Sequence, residues 1–178
     1  MRVDLSAAEV GDLLRTLAGV YDGAEQVDEL AHALQTAGHA MAAGADDELL
    51  VAALLHDIGH TAALGGDRPG VPHERVGAEF CAYVATPRVS ALVGAHVAAK
   101  RYRVAVDPAY AALLSPESVT SLAAQGGALS ADQAAAWGAS DWAADAVRLR
   151  EWDDAAKVPG GATPAVDDLL PVLQRVIR

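Results

Sequence analysis

Apolar residues recur at helical spacing along almost the whole chain. Val10, Leu13, Leu14 and Leu17 follow Ser6-Ala7-Ala8-Glu9, whose serine and glutamate have the form of a capping box, and they predict a first helix from Ala7 to Val20. Tyr21-Asp22-Gly23 breaks that pattern. Val27, Leu30, Leu34, Ala37 and Met41 then predict a second amphipathic helix ending near Gly44. A third, capped by Asp46, contains the apolar run Leu49 to Leu55 and carries His56 and Asp57 at its end.

Between Gly59 and Pro72 the periodicity lapses, and Gly65, Gly66, Pro69, Gly70 and Pro72 mark a loop. His73-Glu74 opens a fourth helix through Phe80 and Tyr83, and Thr86-Pro87 reads as the cap and first turn of a fifth, which carries His96 and Lys100. Asp107-Pro108 and Ser115-Pro116 start two more, the second stopped by Gly126-Gly127. Ser130-Ala131-Asp132-Gln133 is another capping box, leading into Trp137. A helix from Asp141 through Leu149 reaches Trp152-Asp153-Asp154, and Thr163-Pro164 begins the last, with Leu169, Leu170, Val172, Leu173 and Val176. No alternating stretch of useful length and no internal repeat interrupts this series, so the expected fold is all-α, a helical bundle.

Length adds that 178 residues fit a single domain, residues 1–178, able to bury roughly 70 % of the surface its unfolded chain exposes. The one cysteine, Cys81, lies in an apolar helical pattern and reads as core. It excludes an internal disulfide framework and suits a reducing compartment. Leu49 to Leu55 is too short to span a bilayer and the N-terminal stretch lacks the basic and apolar regions of a signal peptide, so the expectation is a soluble, cytoplasmic protein. A net charge of -11 and a pI near 4.8 repel nucleic acid and anionic membranes, and neither is expected as a partner. A small anionic substrate remains compatible, because a buried metal pair and a cationic cluster such as Lys100, Arg101 and Arg103 reverse the local potential.

Candidate chemistry sits on the histidines. His56 and His60 are four apart, as are His96 and Lys100, spacings that put each pair on one face of a helix. An imidazole beside a carboxylate, as in His56-Asp57, offers the mixed nitrogen and oxygen donors that suit iron, manganese or zinc. His32, His56, Asp57, His73, His96 and Asp153 together supply four imidazoles and two carboxylates. A two-metal site needs such a set, with one carboxylate bridging ions roughly 3.5–4 Å apart, and Asp57 is the expected bridge. Each residue also has a plainer reading. His32 could cover a helix edge, His73 could open a helix, and Asp153 belongs to an acidic run from Glu151 to Asp154 that is ordinarily solvated. Taken alone, Tyr21 is a core aromatic and Glu25 a surface acid, while His39 reads as structural.

With these residues in place the chain, from Tyr21 to Lys157, resembles the HD-domain superfamily and, within it, the phosphonate-cleaving mixed-valence di-iron oxygenases. His32, His56-Asp57 and Asp153 meet the superfamily motif. More specific are the phrases His32-Ala33-Leu34-Gln35, Ala52 to His60, His73-Glu74, His96 to Tyr102, Leu114 through Ser118, Gln125-Gly126-Gly127, and Trp152-Asp153 with Lys157. The resemblance implies an Fe(II)/Fe(III) pair, with His32, His56, Asp57 and Asp153 on one iron and Asp57, His73 and His96 on the other. O2 is then the co-substrate that breaks the carbon–phosphorus bond of a 1-hydroxyalkylphosphonate, such as 2-amino-1-hydroxyethylphosphonate or an N-methylated analogue, giving phosphate and a carboxylate such as glycine. It further implies that His60, Lys100, Ser118 and Gln125 hold the phosphonate and hydroxyl groups. Tyr21 and Glu25 match a tyrosine that fills the oxygen site at rest and an acid that meets the substrate amine. The family writes these last two as Tyr-x-Gly-Glu, whereas Tyr21-Asp22-Gly23-Ala24-Glu25 is one residue longer. Two other activities fit the HD motif alone: a metal-dependent phosphohydrolase acting on a phosphate ester or nucleotide, and a regulatory metal-binding module without turnover.

Overall fold

In the computed structural model, which describes residues 5–66 and 70–178, the chain forms α1 (Ala7–Arg15), α2 (Glu29–Ala42) and α3 (Asp47–Leu55), followed by two 3-10 turns, Ile58–His60 and Ala62–Leu64. Then come α4 (His73–Val84), α5 (Pro87–Val106), the short α6 (Pro108–Ala111), α7 (Pro116–Ala124), α8 (Ala131–Gly138), α9 (Ala143–Ala155) and α10 (Val166–Val176). Residues 1–4, at the head of the N-terminal stretch, and Pro69 of the glycine-rich loop lie outside the described residues. Among the described residues there is no strand, as the all-α expectation requires, and no helix is long and apolar enough to cross a membrane.

Helix α3 is the axis of the bundle because its sequence leaves it no polar face. Every residue from Leu49 to Leu55 is buried, and α2, α5, α9 and α10 pack around it. Its N-terminus is held by Asp46, whose carboxylate accepts from Leu49 N at 3.0 Å and also pairs with Arg88. Its C-terminus is where the site begins. His56 caps the helix, Asp57 leaves helical geometry at φ -105°, ψ 14°, and the chain tightens into the first 3-10 turn. The reading of His56 and His60 as one helical face is therefore corrected: α3 stops at Leu55, and the turn brings His60 round instead.

That turn packs against the start of α4 so closely that position 59 admits no side chain. A Cβ there would lie 1.9 Å from the carbonyl oxygen of His73 and 2.9 Å from Gly77 N. The contact sets how near His73 comes to Asp57. Gly59→Ala is thus expected to cost about 1–3 kcal/mol of stability and to weaken whatever His73 binds, as read by thermal melts with and without added metal.

Two helix ends differ from the spacing. The first helix stops at Arg15 rather than Val20. The hydroxyl of Thr16 donates back to Leu13 O at 2.6 Å, and the amides of Thr16, Leu17 and Ala18 turn to carbonyls three residues back, so the last turns tighten while Leu17 stays buried. The last helix starts at Val166, where Asp168 accepts from Ala165 N at 2.9 Å, two residues past Thr163-Pro164. Cys81 is fully buried in α4, and burial pushes its thiol up to about 12, consistent with a core residue.

Candidate metal centre

Six side chains from five parts of the chain meet at the C-terminal end of α3. His32 comes from the first turns of α2, His56 and Asp57 from the end of α3, His73 from the first residue of α4, His96 from the middle of α5 and Asp153 from α9. Asp57 lies between two groups. Its Oδ2 is 3.0 Å from His56 Nε2 and 3.4 Å from His32 Nε2, and Asp153 Oδ1 is 3.3 Å from His32 Nε2. Its Oδ1 faces the other way, 3.2 Å from His73 Nε2 and 3.4 Å from His96 Nε2. The geometry thus draws together all six residues that the sequence marks as ligands.

Proton bookkeeping on the imidazoles shows what such a cluster needs. His32 Nδ1 donates to Ala156 O at 3.0 Å, His56 Nδ1 to Ala53 O at 2.9 Å and His96 Nδ1 to Val93 O at 2.7 Å. A carbonyl only accepts, so in each neutral ring the proton sits on Nδ1 and Nε2 presents a lone pair. His32 Nε2 and His56 Nε2 nevertheless lie 3.1 Å apart, as do His73 Nε2 and His96 Nε2. In the first pair, where both rings carry the proton on Nδ1, two lone pairs at that distance require something positive between or beside them. Asp57 Oδ1, buried and without a hydrogen-bond donor, requires the same. The donor set therefore fits two metal ions that share Asp57.

Without metal, protons stand in. Burial disfavours the charged form of His32, yet its hydrogen bonds to Asp153 and Asp57 outweigh it and hold its pKa well above the usual value. His73 is raised in the same way through Asp57. Burial lowers His60 and His96. Burial would raise Asp57 and Asp153, but the charge of His56 for the first and of Arg150 for the second, with hydrogen bonds from His32, keep both well below the carboxylate range. A bound metal would take the place of the protons on His32 and His73.

The cavity above the cluster is lined by Lys100, Arg150 and Lys157 as cations, by Asp22, Glu25 and Glu29 as acids, and by His60, Ser118, Ser121 and Gln125. Lys100 is buried one turn after His96 and donates to Ser121 Oγ at 2.8 Å. Burial, followed by the nearby Arg150, pushes its ammonium down to about 8. Lys157 donates to Glu25 Oε1 at 2.8 Å and to Ser118 Oγ at 3.1 Å. The segment that carries Lys157 is tied to α2 by His32 and by Gln35, which donates to Val158 O at 2.8 Å and accepts from Val158 N at 3.1 Å. His60 stacks on His73 with ring centroids 4.1 Å apart, and its Nε2 is 4.0 Å from Asp57 Oδ1.

Of the sequence-predicted residues, His60, Lys100, Ser118, Gln125 and Glu25 line this cavity, and Tyr21 does not. Tyr21 is 55 % exposed. The early end of α1, the bond from Gly19 N to Asp28 Oδ2 (3.1 Å) and the bond from Glu29 N to Val20 O (2.8 Å) close the connecting loop on itself, with Asp22 rather than Tyr21 on the cavity wall. In this structure Tyr21 is thus away from the position at which it would fill an oxygen site, and Glu25 is paired with Lys157. His39 is exposed on the far side of α2, consistent with a structural role.

Two residues that the spacing did not single out are equally placed. Arg150 is buried, donates to Asp153 Oδ2 at 2.8 Å, and also binds Asp154 and Tyr110, so it orients Asp153 while facing the cavity. Glu29 is buried beside Asp57 and His60. Each lies three residues before a marked ligand on the same helix, Arg150 before Asp153 and Glu29 before His32, and that same-face offset was the available signal.

Comparison with known proteins shows which family the chain resembles. The HD domain family model matches residues 30–123. The chain is 32 % identical over 186 aligned positions to a [1-hydroxy-2-(trimethylamino)ethyl]phosphonate dioxygenase (glycine-betaine-forming) of Leisingera caerulea, covering 98 % of this chain and 95 % of that protein. It is 37 % identical over 150 positions to a hydroxymethylphosphonate dioxygenase of Gimesia maris, covering 81 % and 75 % respectively.

Proposed function

Since the chain belongs to the HD-domain family and, within it, to the phosphonate dioxygenases, we propose that it uses dioxygen to cleave the carbon–phosphorus bond of a 1-hydroxyalkylphosphonate. The reaction balances as one R-CH(OH)-phosphonate plus one O2 giving one R-carboxylate plus one phosphate, with dioxygen as the only oxidant. The observation that carries this reading is a convergence. Among the described residues three buried side-chain oxygens have no hydrogen-bond partner, on Glu29, Asp57 and Gln125, and all three residues line the one cavity that also holds Lys100, Arg150 and Lys157.

We assign two iron ions to the cluster as an Fe(II)/Fe(III) pair, His32, His56, Asp57 and Asp153 holding one and Asp57, His73 and His96 the other, a nitrogen and oxygen donor set that suits iron. When bound, such a pair supplies electrons to dioxygen and Lewis acidity to substrate oxygens. The protein's own part is positioning. Lys100 and His60 face the phosphonate and neutralise or hydrogen-bond its oxygens, and Ser118, itself held by Lys157, and Gln125 add polar contacts to phosphonate and hydroxyl. Arg150 keeps Asp153 ionised and aimed. Imidazole Nδ1–H bonds to backbone carbonyls fix the ring orientations, so the donors are in place before substrate arrives. We take residues 1–178 to act as one domain.

The test is oxygen itself. Iron-loaded protein is expected to release phosphate from a 1-hydroxyalkylphosphonate in air and to stop under argon. Equal release in both atmospheres would replace the oxygenase with a hydrolase.

A further inference from the structure

Helix α7 forms one wall of the cavity, and what holds it there is mainly the cavity's own cations. Ser118, Ser121 and Gln125 recur at helical spacing and line the cavity together. Of the nine residues of α7 only Ser118 is buried, and among the described residues no other helix packs along it. Apolar burial does not fasten it either, since Val119 is 51 % exposed and Leu113, just before the helix, 82 %. The ties are polar. Lys100 Nζ donates to Ser121 Oγ at 2.8 Å, and Lys157 Nζ donates to Ser118 Oγ at 3.1 Å and to Glu25 Oε1 at 2.8 Å. Each ammonium carries three N–H donors, so an anion entering between them draws on the groups that carry α7.

The ends of α7 let it swing. Gly126 and Gly127, which follow it, take φ of 97° and 71°, a region glycine enters without steric cost. Beyond them the chain is pinned again to α5, where Arg101 Nε donates to Gly127 O at 2.8 Å and Leu129 N donates to Arg101 O at 3.2 Å. Residues 112–115 are non-helical and separate α7 from α6. The pivot therefore lies at the glycine pair, between a fixed anchor and a loosely held helix.

The cavity has to widen before a substrate enters. Its free volume is about 50 Å³, room for roughly three to five waters at about 10–15 Å³ each, fewer than the non-hydrogen atoms of any 1-hydroxyalkylphosphonate. Its walls from α2, α5 and α9 belong to the packed bundle around α3, and the loop that bears Asp22 and Glu25 is closed on itself by its backbone bonds. Helix α7 is the wall that moves without unpacking the core.

We propose that α7 is a lid, hinged at Gly126-Gly127, that opens to admit a phosphonate and is drawn shut as the anion bridges Lys100 and Lys157 to Ser118 and Gln125. The inference rests on the phosphonate reading of the site. It gives the two lysines a second task, since the charges that attract the substrate also hold the door, and it makes the ordering of α7 part of substrate affinity.

Hydrogen exchange of metal-loaded protein, with and without methylphosphonate, tests the lid without turnover, because this anion lacks the 1-hydroxyl; its binding is measured separately by calorimetry. A helix this short does not keep its own hydrogen bonds once it leaves the bundle, so opening is read as exchange. In the free protein the amides of residues 119–127 are expected to exchange about tenfold or more faster than those of residues 93–101 in α5. Methylphosphonate at about 100 times its Kd should slow them about tenfold or more, within the roughly 100-fold that mass action allows, and leave α5 unchanged. Ser121→Ala cuts one tie and should speed α7 exchange in the free protein roughly two- to tenfold, the worth of one hydrogen bond, with iron content unchanged. Amides of α7 as slow as those of α5 in the free protein overturn the proposal. So does bound methylphosphonate that protects residues 20–28 and spares α7, or a Ser121→Ala variant whose α7 exchanges as wild type does. If methylphosphonate does not bind, the phosphonate reading falls and the lid loses its ligand. If it binds and closes α7 but phosphate release needs no dioxygen, the oxygenase reading falls and the lid stands.

Discussion

Replacing Asp57 by asparagine is expected to strip both metals and abolish turnover. Asp57 alone belongs to both ligand groups, with Oδ2 toward His32 and His56 and Oδ1 toward His73 and His96. An amide keeps one acceptor and turns an NH2 group toward imidazoles, where cations belong. Removing one partner from a buried charged cluster costs about 3–5 kcal/mol, which lowers metal affinity by roughly 10²–10⁴. Metal content after desalting is the measurement. Wild type should retain two irons per chain and Asp57→Asn close to none, with helical circular dichroism preserved because α3 ends before this residue.

Lys100→Met is expected to act on substrate rather than metal. Among the described residues the buried ammonium donates only to Ser121 Oγ and pairs with no carboxylate within 4.0 Å, so its charge is free for an incoming anion. A hydrogen bond to a charged group is worth about 1.5–3 kcal/mol, so kcat/KM should fall by roughly 10- to 150-fold, with iron content unchanged. Its pH signature follows from the lowered pKa. In the free protein the ammonium is present below about 8 and is lost as pH rises through that value, so phosphonate affinity in wild type weakens across that range. The Lys100→Met variant should lack the decline.

Much of this site is legible in sequence because metal chemistry uses few residue types. Four imidazoles and two carboxylates in a chain with six histidines stand out, and their helices could be placed from caps and apolar spacing. Glu29 and Arg150 did not stand out. An acid in the first turn of a helix is ordinarily a partner of the helix dipole, and an arginine in the charged sequence of α9 is ordinarily solvated. Only the fold shows both buried against ligands. Tyr21 is half-exposed and absent from the cavity lining, in a loop that follows a first helix tightened at Thr16, a placement that residue spacing does not encode. The convergence of His32 with Asp153 across α2 and α9 likewise belongs to packing around α3, not to any spacing along the chain.

The central claim is that this acid-rich helical bundle carries out an oxidation. Iron-loaded protein supplied with a 1-hydroxyalkylphosphonate and heavy-isotope dioxygen tests it most directly, with products read by mass. Label in the carboxylate, and one dioxygen consumed for each phosphate released, is the predicted result. Products whose new oxygen comes only from water, formed as fast under argon, would contradict it.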